Sequence, residues 1–152
     1  MKKKIILFFL ILTLVNNCGY QPIFSSKGTN FYINDIEFEN KNKINKKIEK
    51  NFASVLNKRN IKRFFDLSIT SSKEIIIISK NSEGDANIFN MEIIINLKAF
   101  ENSELKLSKN YKANFNYNNT TNKFSLKQYE KSIEENLIKK IIEQIKLNLE
   151  TV

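Results

Sequence analysis

Apolar residues recur along this chain with two different spacings, which predict six secondary-structure elements. Alternation of apolar and polar positions marks strands, and apolar residues three or four positions apart mark amphipathic helices. The strands are predicted at about 31–39, 64–80, 87–100 and 105–117, and the helices at about 42–59 and 125–149. The segment 64–80 is either one long strand interrupted by a bulge or two short strands. The order is therefore β-α-β-β-β-α. Because two such helices cover only one face of a four-stranded sheet, the pattern predicts an α+β fold, a two-layer α/β sandwich with a mixed sheet.

The start of the last helix carries residues typical of helix N-termini. Ser125 and Gln128 have the spacing of a capping box, in which each side chain bonds a backbone N–H of the first turn. Phe124 and Tyr129 have the spacing of a hydrophobic staple. The sequence therefore predicts that Ser125 caps this helix.

The turn between the second and third strands determines which side chains share a face. Glycine supplies the positive φ of a tight hairpin, so Gly84-Asp85 is predicted as its centre, and the numbers of opposing residues then sum to 169. In that register, Ile75, Ile77 and Ile94 lie on the face without helices. An exposed apolar patch with a polar rim commonly binds a partner, so we predict a partner-facing patch there. A one-residue slip of register, or a loop folded over this face, are the alternatives.

The same connectivity brings the 81–86 turn and the 118–124 connection to one end of the sheet. Lys80 and Lys123 lie there, and lysines bind phosphate groups through charge-assisted hydrogen bonds. We predict that these two residues bind phosphate groups, the alternative being an ordinary solvated surface. The opposite end carries a second basic cluster, formed by Lys58, Arg59, Lys62 and Arg63.

The N-terminus has the three parts of a secretory signal peptide. Three lysines precede an apolar run at 5–15, which is too short to span a bilayer, and Cys18 follows. Val15, three residues before Cys18, fits a lipobox, whereas Asn17 stands where small residues are usual. We interpret 1–17 as a lipoprotein signal peptide, 18–30 as a lipidated tether and 31–152 as one domain. A secreted chain with a free thiol and an uncleaved anchor are the alternatives.

Composition narrows the classes of function. Twenty-five Lys and Arg against 16 Asp and Glu give a basic chain, and loss of the three N-terminal lysines leaves a net charge of +6. A basic chain favours anionic partners, and export argues against nucleic acid among them. The chain has no histidine and no glycine-rich phosphate loop, and adjacent acids such as Glu134 and Glu135 point in different directions on a helix. We therefore expect no enzyme, no metal and no cofactor other than lipid on Cys18.

The segment Cys18-Gly19-Tyr20-Gln21-Pro22-Ile23-Phe24, the β-α-β-β-β-α order and the final helix together resemble the LPS-assembly lipoprotein family LptE, in particular its short, alphaproteobacterial-type members. The resemblance implies an outer-membrane lipoprotein, on the periplasmic face, that sits as a plug inside the β-barrel LptD. It also implies a role in barrel assembly and in receiving lipopolysaccharide, for which Lys80 and Lys123 are the predicted lipopolysaccharide-binding residues. Gly19 after the cysteine is compatible with outer-membrane sorting. The alternatives are a scaffold or pilotin of another envelope complex without glycolipid binding, and, more distantly, a lipid-anchored hydrolase that uses carboxylates.

Overall fold

A computed structural model describes residues 29–57, 61 and 63–152 of the chain. The predicted signal peptide, the lipidation at Cys18 and most of the tether lie outside these residues, as do Lys58, Arg59 and Lys62. The elements are β1 (Phe31–Phe38), α1 (Asn45–Phe52, extended by a 3₁₀ turn at Ala53–Val55), β2 (Arg63–Lys80), β3 (Ala86–Glu101), β4 (Glu104–Asn118) and α2 (Lys123–Thr151).

The four strands form one mixed sheet in the order β1-β2-β3-β4. β1 and β2 are parallel and are connected through α1, whereas β2, β3 and β4 form an antiparallel meander. Both helices cover one face of the sheet, which confirms the predicted α+β sandwich. Between β3 and β4 the chain turns at Asn102 and Ser103, whose φ values of 52° and 65° have the sign that a two-residue type I′ turn requires.

The core lies between the sheet and the helices. The central strand β3 contributes every second residue to it, and α2 contributes residues at helical spacing from Leu126 to Leu149. The β3 side chains that are at most 1% exposed are Met91, Ile93, Ile95, Leu97 and Ala99. Two tyrosines fasten α2 to the edge strand β4: the Tyr117 hydroxyl donates to Glu130 at 2.7 Å, and the Tyr111 hydroxyl accepts from Asn148 at 2.7 Å. Neither helix of the described part is both long and apolar enough to cross a bilayer.

Both helices differ from their predicted bounds. α1 ends well before residue 59 because the chain becomes extended at Leu56, where it forms a bridge to Ile33, and takes a φ of 50° at Asn57. α2 begins at Lys123 because the Asn122 side chain accepts hydrogen bonds from the N–H groups of Phe124 and Ser125. The capping box at Ser125 is therefore wrong. So is the staple, since Phe124 lies within the helix and is 70% exposed.

The predicted register between β2 and β3 is also wrong. Ile75 lies opposite Met91 and Ile77 opposite Phe89, so the numbers of opposing residues sum to 166 over most of the hairpin. The turn is wider than predicted because the Asn81 side-chain oxygen accepts from the N–H groups of Glu83 and Asp85, which closes a loop around Glu83. Gly84 has the positive φ expected of it, 88°.

Because the numbers of opposing residues sum to 166 and not to 169, the residues of the predicted patch no longer share one face. Ile75 and Ile77 lie on the face that carries the helices, in line with Met91, whereas Ile94 lies on the other face opposite Ser72. Ile75, Ile77 and Ile94 therefore do not form one patch. An odd change in the sum exchanges the two faces of one strand relative to its partner, since side chains alternate with period two.

Candidate interaction surfaces

The last part of β2, next to the hairpin turn, is largely exposed. Burial along β2 ends at Ser71, and the four consecutive isoleucines Ile75–Ile78 are each 40–51% exposed. Because side chains of a strand alternate between faces, Ile75 and Ile77 expose apolar surface on one side of the hairpin and Ile76 exposes it on the other. This hairpin is the most prominent exposed apolar segment among the described residues, and it retains part of the predicted patch in a different arrangement.

The outer side of β2 is paired with β1 only over the first part of its length. The last bond of this pairing joins the Glu39 N–H to the carbonyl of Ile69 at 3.0 Å. The Asn40 side chain then forms the two hydrogen bonds with Ser71 that a further strand residue would form. Its oxygen accepts from the Ser71 N–H at 3.1 Å, and its nitrogen donates to the Ser71 carbonyl at 2.7 Å. No described strand pairs with this side of β2 beyond that point. The predicted strand lengths already indicate this unpaired stretch, because the first strand is predicted to have about 9 residues and the second about 17.

Lys80 and Lys123 lie at the same end of the sheet, as predicted. The Asn119 N–H donates to the Asn87 carbonyl at 2.8 Å, which joins the connection before α2 to the strand that follows the hairpin turn. Both lysines are exposed, and the Lys123 ammonium also donates to the Asn119 side-chain oxygen at 3.1 Å and to the Thr120 carbonyl at 3.3 Å. Their binding of phosphate stays a prediction.

At the opposite end, Arg63 is the one member of the second basic cluster that the structure describes, and its guanidinium group is engaged in the fold. Its Nε lies 3.0 Å from a Glu101 carboxylate oxygen, and its Nη2 donates to the C-terminal residue Val152. The guanidinium group also lies 4.9 Å from the centre of the Phe65 ring. These contacts connect β2, β3 and the end of α2, so Arg63 has a structural role.

A basic groove that the sequence analysis did not predict lies between α1 and α2. Its volume is about 530 Å³, and Glu135 is the only acidic residue that lines it. The lining residues are Lys47, Lys50, Asn51, Lys131, Glu135, Asn136 and Lys139. The lysines come from two helices far apart in sequence, so no local pattern marks the groove. It is a second candidate for binding anionic groups.

Glu134 is the one charged residue that is buried in the described domain. Its carboxylate lies 2.6 Å from the Lys47 ammonium and also pairs with Lys73, so it connects α1, β2 and α2. Burial raises the pKa of Glu134, but hydrogen bonds from Lys47 and Lys73 outweigh it, and the pKa lies below its usual value. An ionised, fully paired carboxylate is poorly suited to act as a general acid. Within the described residues, no group of three or more acidic, Cys or His side chains is placed to hold a metal ion.

Comparison with known proteins gives likeness of fold but not of sequence. No protein-family model and no curated protein matches the sequence. Solved structures of bacterial lipoproteins do match. The minor lipoprotein of Acinetobacter baumannii has a TM-score of 0.58 and 10% identity, with 78% of this chain and 90% of that chain covered. Lipoprotein B of Nitrosomonas europaea has a TM-score of 0.57 and 13% identity, with 81% of this chain and 87% of that chain covered. The rare lipoprotein B of Shewanella oneidensis has a TM-score of 0.51 and 10% identity, with 77% of this chain and 99% of that chain covered. The described domain shares their fold.

In the described domain, the start of β1 lies at the end opposite the exposed hairpin. Phe31 at the start of β1 pairs with Arg63 at the start of β2, and Lys80 at the end of β2 pairs with Ala86 next to the hairpin turn. A strand rises about 3.3 Å per residue, so β2 separates the two ends by about 56 Å. The isoleucine hairpin therefore lies at the end of the domain opposite the start of β1.

Proposed function

We propose that this protein is a lipid-anchored outer-membrane lipoprotein that acts as the plug and assembly partner of the LPS-translocon β-barrel LptD. In this role it helps to insert lipopolysaccharide into the outer leaflet and has no enzymatic activity. The observation that carries the proposal is a fold shared with bacterial lipoproteins, in a chain whose Cys18-Gly19-Tyr20-Gln21-Pro22 segment follows a signal-like apolar run. The acyl chain on Cys18 would hold the domain at the periplasmic face of the membrane.

Two features of the domain support a protein partner and an anionic ligand. A hairpin with four isoleucines exposed on both faces offers apolar surface that a protein without partners seldom carries. Lipopolysaccharide carries phosphate groups, and Lys80 and Lys123 at the hairpin end would bind them by charge-assisted hydrogen bonds. The scaffold or pilotin alternative explains the hairpin equally well but assigns no ligand to the lysines.

The partner is tested by affinity purification of the full chain from its native membranes in mild detergent. We expect a large outer-membrane β-barrel to be recovered in equal amount with this protein. The variant Cys18→Ser is the matched control: it should lose membrane attachment while the domain still folds and still binds the barrel in detergent. Recovery of a secretion or pilus component without any barrel would contradict the plug proposal and favour the scaffold.

The ligand is tested by binding of purified lipopolysaccharide to the domain with both Lys80 and Lys123 changed to glutamine. Each lost charge-assisted hydrogen bond costs about 1.5–3 kcal/mol, so we expect affinity to fall at least about tenfold. The double variant Lys50→Gln, Lys139→Gln removes the same charge from the groove between α1 and α2 and should bind nearly as wild type. Loss of binding only in this second variant would place the ligand in the groove instead.

A further inference from the structure

The unpaired side of β2 presents a row of backbone groups that no described residue satisfies. The carbonyl of Ile69 and both backbone groups of Ser71 point away from β3, since they bond Glu39 and Asn40. Successive residues of a strand point their backbone groups to opposite sides, and the β2–β3 register is regular from Asp66 to Ile77. The N–H and C=O groups of Lys73, Ile75 and Ile77 therefore point outward as well. We call the stretch from Lys73 to Ile77 the open edge.

The opposite edge of the sheet is protected against pairing, whereas the open edge is not. β4 is the edge strand on that side and carries Lys106, Lys109 and Lys112, the type of charge that keeps edge strands from pairing with other chains. The open edge begins with Lys73, which pairs with Glu134, and Glu74, and no charged residue follows from Ile75 to Ser79. The four isoleucines Ile75–Ile78 have high β-propensity and are exposed on both faces. This contrast within one sheet indicates that the open edge is meant to be paired.

We propose that the open edge binds an extended segment of a partner protein by strand addition, next to β2 and in line with β1. On the function proposed above, the segment belongs to the β-barrel. The chemistry favours a peptide because alternating backbone donors and acceptors are matched by another extended backbone. A lipid or glycolipid has no such row of groups. The isoleucines on both faces select a segment that is apolar on both faces as well.

Insertion of the hairpin into a lipid bilayer fits the structure less well. The tip carries Lys80, Glu83 and Asp85, all exposed, and charged side chains enter the hydrocarbon region at high cost. The hairpin also lies at the far end of the domain from the start of β1. A protein surface is therefore the partner that this hairpin suits.

The test compares two substitutions of Ile77 in the full chain, co-expressed with the barrel and purified through a tag on this protein. Ile77→Pro removes an N–H that β3 does not use, so it blocks strand addition while the β2–β3 pairing remains. Ile77→Ala keeps the N–H and removes most of the apolar side chain. We expect barrel recovery to fall at least tenfold with proline and less than threefold with alanine. Circular dichroism and the unfolding midpoint of each variant report whether the domain remains folded.

Each other result overturns the proposal. Equal losses with proline and alanine, or full recovery with proline, would exclude backbone pairing while the plug function stands. If no barrel is recovered with the wild-type chain, both the plug function and the pairing of a barrel segment with the open edge are overturned. A wild-type dimer that Ile77→Pro dissociates would assign the open edge to a second copy of the chain. If the proline variant does not fold, hydrogen exchange decides: the Ile75 and Ile77 amides must become protected in the barrel complex and stay fast in the free protein.

Discussion

Replacing Phe65 with alanine is expected to lower the free energy of unfolding by about 3–5 kcal/mol, the range for removing a buried aromatic ring. Phe65 is fully buried where β1 pairs with β2, and its ring packs edge to face on Phe31 with 5.6 Å between centroids. The Arg63 guanidinium group lies over the ring, 4.9 Å from its centre, and is held there by Glu101. Neighbours fixed in this way relax poorly into a cavity, so the loss should lie in the upper part of the range.

Urea unfolding of the purified protein, followed by circular dichroism, measures this loss. Phe124→Ala is the matched control because it removes the same ring from a position that is 70% exposed, and its effect should stay within about 0.5 kcal/mol. Similar losses in both variants would contradict the packing described around Phe65.

Replacing Glu134 with glutamine is expected to lower the free energy of unfolding at pH 7 by about 1–3 kcal/mol. The substitution keeps the shape of the side chain but removes the charge that pairs with Lys47 and Lys73. Both lysines are about 30% exposed and regain water when the carboxylate is lost, which keeps the effect below that of a fully buried pair. The contact between α1 and α2 should weaken most.

The effect of Glu134 should also depend on pH in one direction. Its pKa in the folded protein is lowered, so its stabilisation is complete above the unfolded value of about 4.5 and is lost as pH falls through the folded pKa. The difference in unfolding free energy between wild type and Glu134→Gln should therefore shrink below about pH 4.5. Glu135→Gln, at an exposed position beside Lys47, should show a much smaller difference. A wild-type advantage that stays constant down to about pH 3 would show that the carboxylate is not responsible.

The order and approximate bounds of the elements could be predicted from the sequence, because periods of two and 3.6 residues persist over long stretches. The strand predicted at 64–80 is β2 to within one residue. The register could not be predicted in the same way. It depends on the Asn81 side chain, which binds the N–H groups of Glu83 and Asp85 and widens the turn. The first helix is too long in the prediction because Val55 and Leu56 keep helical spacing while tertiary pairing with Ile33 ends the helix.

The candidate sites also divide into those that could be predicted from the sequence and those that could not. Connectivity alone places Lys80 and Lys123 at one end of the sheet, and the structure confirms that placement. The role of Glu134 depends on lysines 61 and 87 positions away, which no local pattern reveals. Lipidation of Cys18 and binding by Lys80 and Lys123 stay predictions.

The sheet order also has a consequence for how the chain folds. Every strand pairs with the strand next to it in sequence, and the turn at Asn102-Ser103 closes β3 on β4 with two residues. Short loops close within microseconds, whereas pairing β1 with β2 must first bring α1 and the residues that follow it into place. We therefore expect the antiparallel meander to form first and β1 to dock last. Until β1 docks, the whole outer side of β2 is unpaired, from Arg63 to Lys80. A partner that binds before β1 docks would therefore meet a longer unpaired edge than one that binds afterwards.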